Sequence, residues 1–284
     1  MRIVRNIKEM VRFAQKVRLK GDSIGFVPTM GALHLGHLSL IRRCHRENDF
    51  TVVSIFVNPI QFLPREDYNK YPRDLKQDAE VCRKEGVDIL FYPDVKDMYP
   101  QPLRTTVDVK GLSEVLCGRF RPGHFRGVTT VVAKLFHIVY PDNAYFGQKD
   151  AQQAVIIKKM VEDLNFPVQI KVMPIVREPD GLAMSSRNKY LNEEERRDAA
   201  VLYHALNLAR RSVAMGETSA SKIISFMREL IQKKKSAKID YISVMDLQNH
   251  KPLNKIKGKA LIALAVRIGK IRLIDNIIVS VKYR

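Results

Sequence analysis

The chain has 284 residues, 45% of them apolar and 28% charged, which excludes a disordered or fibrous protein and leaves room for one large domain or two smaller ones. Its cysteines, Cys44, Cys82 and Cys117, are far apart and form no C-x-x-C pair, which argues against a zinc site or a disulfide framework and for reduced thiols in a cytoplasm. The net charge of +19 is spread over both halves, with 27 basic and 19 acidic residues before Arg177 and 22 and 11 from it onward, so it points to anionic partners rather than to a detachable nucleic-acid arm.

The N-terminal stretch carries Ile3, Ile7, Met10, Val11, Ala14 and Val17 at helical spacing, which predicts an amphipathic first helix rather than a secretory signal. Residues 23–28 read as a buried strand, followed by a loop and a helix over 36–47. The run FTVVSIFV at 50–57 is continuous and β-branched, the pattern of an internal parallel strand. A helix over 74–84, strands over 88–92 and 105–109, a helix over 128–139, a strand over 144–147, a helix over 151–164 and a strand over 168–172 complete this part. Strands alternating with helices predict an α/β, Rossmann-like, doubly wound parallel sheet, with ligands at the carboxyl ends of the strands.

Beyond about residue 176 the pattern changes. Helical runs at 193–215 and 219–234 precede strands at 239–245, 260–266 and 271–279. The expected division is a nucleotide- and acid-binding domain over 1–176 and a smaller α+β lid domain over 177–284. The longest apolar run, 260–266, is far short of the ~20 residues needed to span a bilayer, so no membrane partner is expected.

The familiar phosphate motifs G-x-G-x-x-G and G-x-x-x-x-G-K-[ST] are absent, as is a G-x-S-x-G elbow. The strongest local signal is the H-x-G-H sequence at 34–37, which follows the first strand of the alternating series and opens a helix. A helix start offers unpaired N–H groups and the positive end of the dipole, both suited to a triphosphate. His34 and His37 lie three apart, so both rings can share one face and stabilise charge as pyrophosphate leaves. Gly31 and Gly36 let a ligand approach the backbone.

Two further segments are weaker alone. Gly147-Gln148-Lys149-Asp150 joins a strand to a helix, with Lys149 placed for a phosphate and Asp150 for a cap. Met184-Ser185-Ser186-Arg187 offers two hydroxyls and a guanidinium in a loop, a composition suited to a mobile phosphate clamp.

Together with V-N-P-x-Q-F at 57–62, Y-P-R at 71–73 and H-F-x-G-V at 124–128, these segments resemble the pantothenate synthetase family, motif by motif and in order. The resemblance covers roughly residues 27–191 with specific motifs and continues loosely to the C-terminus. It implies an ATP-dependent, Mg²⁺-assisted ligation of pantoate and β-alanine through a pantoyl adenylate, in a homodimer acting on small molecules and not on nucleic acid. It also implies residue roles. Met30, Gly31, His34, Gly36 and His37 line the ATP site, with His37 as proton donor. Gly147, Gln148, Lys149 and Asp150 contact ribose and phosphate, Val176 touches adenine, and Met184, Ser185, Ser186 and Arg187 close over the triphosphate. Gln61 and Gln153 hold pantoate, with Asn58, Arg121 and His124 as further candidates. Asp78 is a candidate ligand for the magnesium carried by ATP, the alternative being a helix-surface carboxylate. Leu63, Gln148 and Ala151 depart from residues many relatives carry there, which bears on loop mobility rather than chemistry.

The nearest alternative is another H-x-G-H adenylyl-transferring enzyme, such as an aminoacyl-tRNA synthetase or a nucleotidyltransferase; no anticodon-binding domain fits after residue 191. A nucleic-acid binder without catalysis would want clustered aromatics, whereas aromatics are 8% and Trp is absent.

Overall fold

The computed structural model describes residues 1–64 and 66–281. It falls into two compact units. The first comprises Met1–Glu114, Arg121–Gly147 and Gln153–Pro174; the second takes Val115–Phe120, Gln148–Gln152 and the chain from Ile175 onward. A single cut near residue 176 therefore misses two short excursions into the second unit. They hold each other: the Cys117 N–H donates to Gln152 Oε1 at 3.0 Å, and Gln152 Nε2 donates to the Val115 carbonyl at 2.7 Å.

In the first unit six strands, β1 (Arg2–Val4), β2 (Ile24–Thr29), β3 (Phe50–Ile55), β4 (Ile89–Phe91), β5 (Asn143–Gly147) and β6 (Gln169–Met173), form a sheet in the order β1-β4-β3-β2-β5-β6. Every pairing is parallel. The helices are α1 (Ile7–Leu19), α2 (Leu35–Glu47), α3 (Leu75–Lys84), α6 (His124–Val139) and α7 (Ala151–Asp163), with the single turn α4 (Val95–Met98) among them; the single turn α5 (Cys117–Phe120) belongs to the second unit. Leu40, Ile41 and Cys44 of α2 and Ala79 and Cys82 of α3 pack on Val27, Val53, Leu90 and Tyr145. Phe136 of α6 meets Phe26, the neighbour of Val27 and therefore on the opposite face. With both faces covered, β2 and β3 are buried over nearly their whole length, so neither alternates apolar with exposed polar residues. The sheet is the doubly wound, Rossmann-like one expected.

The chain leaves β2 toward β3 and β4 on one side and returns to β5 and β6 on the other, so strand order reverses between β2 and β5. Their ladder joins only Gly25 to Asn143 and Phe26 to Ala144. Beyond those pairs the carboxyl ends of the two strands part, which opens the crevice where such sheets take ligands.

In the second unit α8 (Glu193–Ala199), α9 (Val201–Ala214) and α10 (Ala220–Gln232) accompany an antiparallel sheet of β7 (Ala237–Asp246), β8 (Lys259–Ile268) and β9 (Ile271–Ser280) in that order. Ile262, Leu264 and Val266 of β8 share a core with Leu202, Leu206, Ile223 and Met227. Leu261 and Ala263, facing the other way, pack with Leu116 and Met245. Both sides of β8 are covered, which explains its seamless apolar sequence.

Three sequence expectations need correction. The first helix does not begin at the N-terminus: residues 2–4 form β1 beside β4, and α1 starts at Ile7 behind the N-cap Asn6, whose side chain accepts the Glu9 N–H. The expected strand at 105–109 is in no sheet among the described residues. Its central residue pairs with α6 hydroxyls instead: the Val107 N–H donates to Thr130 Oγ1 at 3.0 Å, and Thr129 Oγ1 donates to the Val107 carbonyl at 2.6 Å. The helix expected over 193–215 breaks at Ala200, with no Gly or Pro to mark it.

Candidate active site

β2 ends at Thr29, and the turn that follows needs an unusual backbone. Gly31 and Ala32 both have positive φ, 84° and 52°. A side chain on Gly31 would be strained on that count, and its Cβ would sit 2.8 Å from Asp78 Oδ2. Thr29 Oγ1 accepts the Gly31 N–H at 3.1 Å while donating to the Ser54 carbonyl at 2.8 Å. Asp78 of α3, only 3% exposed, accepts the Ala32 N–H at 2.9 Å and the Leu33 N–H at 2.8 Å, one on each carboxylate oxygen. The residue considered as a magnesium ligand or a helix-surface carboxylate is thus neither exposed nor idle: it braces the turn.

His34 is the N-cap of α2. Its Nδ1 accepts the Gly36 N–H at 3.1 Å, and the His37 Nδ1 accepts the His34 N–H at 3.3 Å, a capping box made of two imidazoles. The rings lie 4.1 Å apart between centroids. Because each Nδ1 accepts, a neutral ring must carry its proton on Nε2. The local fold therefore fixes both neutral tautomers, with the proton on Nε2. These are preset donors at a helix N-terminus, an arrangement suited to phosphate oxygens.

Next to the turn, the segment after β3 carries Asn58 and Gln61. Asn58 is 1% exposed and fully engaged: its Nδ2 donates to Gln61 Oε1 at 3.0 Å and to the Gly127 carbonyl at 3.1 Å, and its Oδ1 accepts from the Tyr99 hydroxyl at 2.8 Å. Burial pushes the Tyr99 phenol up, so it stays a neutral donor. With Oε1 held, the Gln61 amide NH₂ donates, among the described residues, to Met30 Sδ at 3.2 Å. A thioether is a weak acceptor, one that a substrate oxygen would readily replace.

Arg121 and His124 sit behind Gln61. Arg121 donates to both Glu66 oxygens, at 2.7 and 2.6 Å, and to His124 Nε2 at 3.0 Å. His124 Nδ1 lies 2.8 Å from the Gln61 carbonyl, which can only accept, so the ring is the neutral Nδ1–H tautomer here. Burial raises the Glu66 carboxyl, but the Arg121 bonds and the Leu63 N–H outweigh it, and the net shift is downward. The structure thus gives Arg121 and His124 a supporting place around the Gln61 backbone. A cleft of about 190 Å³ opens beside Met30 and Asp78, lined also by Tyr68, Arg73 and Tyr92.

In the second unit, Gln148–Asp150 form a single 3₁₀ turn. Asn276 of β9 fastens it, its Nδ2 donating to the Gln148 carbonyl at 2.9 Å and the Lys149 carbonyl at 3.0 Å. The loop after residue 176 is anchored at its base. The Met184 N–H donates to the Val176 carbonyl at 3.0 Å, Ser185 Oγ caps the turn Ser186–Tyr190 through the Arg187 N–H, and Asn188 Nδ2 donates to Glu178 Oε1 at 2.6 Å. Arg196 binds Glu178 and Asp180. Gln153 lies on α7 in the first unit and is half-buried.

Among these supporting residues, Glu66, Tyr99 and Asn276 were not anticipated. The only sequence signal was the polar pair Asp275-Asn276 inside the apolar strand LIDNIIV. The thiols are not candidates for nucleophilic catalysis: all three are buried, and burial pushes Cys44 and Cys82 up to about 12. Among the described residues, no group of three or more His, Cys, Asp or Glu converges to hold a metal ion, and no helix is long and apolar enough to cross a membrane.

Comparison with known proteins identifies the family. The family model described as pantoate-beta-alanine ligase matches residues 2–278. The pantothenate synthetase of Caldicellulosiruptor bescii is 57% identical over 282 residues, 99% of this chain and 100% of the relative. The crystal structure of pantothenate synthetase from Thermus thermophilus superposes with a TM-score of 0.93 at 44% identity, covering 98% of this chain and 99% of that one. The pantoate-beta-alanine ligase from Francisella tularensis, complexed with beta-gamma ATP and beta-alanine, gives 0.81 at 39% identity over 98% and 97% of the two chains. The chain therefore belongs to the pantoate-beta-alanine ligase family, ligases that form the C–N bond joining pantoate to β-alanine.

Proposed function

We propose that the ligation runs through an acyl adenylate. A pantoate carboxylate oxygen attacks the α-phosphorus of ATP and pyrophosphate leaves. The amine of β-alanine then attacks the acyl carbon of the mixed anhydride, AMP departs and a proton is released. A carboxylate is a poor electrophile at neutral pH, whereas its anhydride with AMP has a good leaving group. No enzyme nucleophile is needed, and the chain's task is to position reactants and neutralise phosphate charge.

In this reading His34 and His37 donate from Nε2 to phosphate oxygens, with His37 as the proton donor. Lys149 binds the phosphate undergoing transfer, Gly147, Gln148 and Asp150 contact ribose and phosphate, and the Val176 backbone meets adenine. Met184, Ser185, Ser186 and Arg187 serve the triphosphate. Gln61 and Gln153 hold pantoate. The single observation that carries the reading is the pair of preset Nε2–H donors at the α2 N-terminus, beside the point where strand order reverses. The Gln61 amide resting on a sulfur supports its role. Asp78 has both oxygens on the turn and offers a poor cage, so magnesium is assigned to the nucleotide, which suits an ion that keeps its waters. We assign the chain to the cytoplasm on its three free thiols. The homodimer is proposed on family resemblance alone and is tested by light scattering.

Purified protein given ATP, Mg²⁺, pantoate and β-alanine is expected to yield AMP and pantothenate. Pyrophosphate exchange into ATP should require pantoate and ignore amino acids and tRNA. His37→Ala and Lys149→Ala should each slow adenylate formation by at least ~10²-fold, the scale for losing one preorganised donor. Near-normal turnover in both would refute the assignments.

A further inference from the structure

The phosphate-motif segments of the second unit, 148–150 and 176–187, are fastened to one strand by residues that neither motif contains. Asn276 of β9 is 3% exposed and uses its whole amide: Nδ2 donates to the Gln148 and Lys149 carbonyls, and Oδ1 accepts Gln148 Nε2 at 3.2 Å. Its own N–H donates to Asp275 Oδ1 at 2.7 Å. Asp275, 2% exposed, receives Arg177 Nη1 at 2.6 Å and Nη2 at 3.0 Å. Arg177 continues to the Gly181 carbonyl at 2.9 Å, inside the 176–187 loop, and stacks over Tyr203 of α9 at 4.5 Å. One buried polar chain thus runs from the lysine turn through β9 to the other loop.

We propose that Asn276, backed by Asp275 and Arg177, is a positioning residue for the ligation: it fixes the turn that aims Lys149 and couples that turn to the 176–187 loop. A 3₁₀ turn of three residues has no ladder of its own to set its direction. A lysine ammonium stands on a long flexible stem, so a tilt of about 10° at the backbone moves it by about 1 Å, a misplacement that costs on the order of 10²-fold in rate. A buried ion pair adds little net stability over an apolar pair of the same volume. The Arg177–Asp275 pair is therefore better accounted for by the geometry it fixes than by the stability it adds.

The inference rests on Lys149 acting at the phosphate, so the experiment is a double-mutant cycle in the full chain. Pantoate-dependent pyrophosphate exchange is measured for Asn276→Ala, Lys149→Ala and the double variant, with thermal unfolding to confirm that each is folded. Asn276→Ala is expected to lower kcat on the order of 10²-fold with the KM for pantoate nearly unchanged, and to have almost no further effect once Lys149 is gone. Asn276→Asp, which keeps the shape but loses both donated bonds, should slow to the same degree. A full rate in either Asn276 variant overturns the proposal, and so does a loss that multiplies with that of Lys149→Ala. If Lys149→Ala alone runs near normally while Asn276→Ala does not, the lysine assignment has failed and the positioning role falls with it.

Discussion

Asp78 shows what a single residue decides and what one sequence hides. From the sequence it was a helical carboxylate, open to a metal role or to none, because its partners at Ala32 and Leu33 lie more than forty positions away. Folded, it offers one oxygen to each of two turn N–H groups. Asp78→Asn keeps the shape and one acceptor, but turns an NH₂ toward the other N–H. Leaving one such buried donor unpaired costs about 1–3 kcal/mol, most of it felt in the turn that presents His34 and His37. Asp78→Asn is therefore expected to lower adenylate formation at least ~10-fold, the rate equivalent of about 1.4 kcal/mol, while the protein still folds. Steady-state kinetics with circular dichroism checks this, and unchanged kinetics would show that the brace is dispensable. By contrast the imidazole pair itself was legible, because an H-x-G-H sequence at a strand-to-helix junction is a local pattern.

At the scale of elements, α6 and the single turn Pro59–Gln61 touch through a glycine. A Cβ on Gly127 would come 2.4 Å from the Ile60 carbonyl oxygen and 2.7 Å from Gln61 Cα. Both are backbone atoms, so neither can swing aside; the helix or the turn has to move. Gly127→Ala is thus expected to displace Gln61 and raise the pantoate KM ~10-fold or more, with the ATP KM changing far less, since ångström shifts of a positioning group carry costs of that scale or larger. Substrate-saturation curves for the two substrates separate the effects, and a parallel rise in both would point to general unfolding instead. The sequence announced G-V in a family motif but not the reason, because close backbone approach leaves no mark in composition. The central strands β2, β3 and β8 were legible because both their faces are buried and their sequences are largely apolar and β-branched. The failures have the complementary cause. β1 is three residues long with an exposed Ile3, and the 105–109 stretch has strand-like residues but finds its partners in the Thr129 and Thr130 hydroxyls. Pattern predicts burial, and burial does not always mean a strand ladder.

At the scale of the whole molecule, the excess of positive charge suits an anionic substrate, but the pH dependence of stability turns on one buried histidine. His250, in the connection between β7 and β8, is 1% exposed, adopts φ of 52°, and among the described residues neither ring nitrogen has a hydrogen-bond partner. Burial pushes its pKa down to about 4 from the usual 6.5, opposed only in part by Asp246. The sign follows from proton counting. Between pH 6.5 and 4 the unfolded chain binds a proton at this ring and the native state does not, so stability is intact above pH 6.5 and is lost as pH falls toward 4. The size is roughly 3 kcal/mol, from 1.36 kcal/mol per pKa unit. Carboxylates held low, such as Glu47 and Asp180, lose their contributions mainly as pH falls below their ordinary values of 4.5 and 3.8, whereas the Asp275 carboxyl, pushed up by burial, works in the opposite sense to the histidine. Urea unfolding of the native chain should therefore shift to lower midpoints between pH 6.5 and 4.5, in the transition of the second unit. His250→Leu, which cannot titrate, should flatten the midpoint-versus-pH curve there by most of that amount. Parallel curves for the two proteins would mean that water or a shifted loop already shelters the imidazolium, and the buried neutral ring would no longer explain any acid sensitivity.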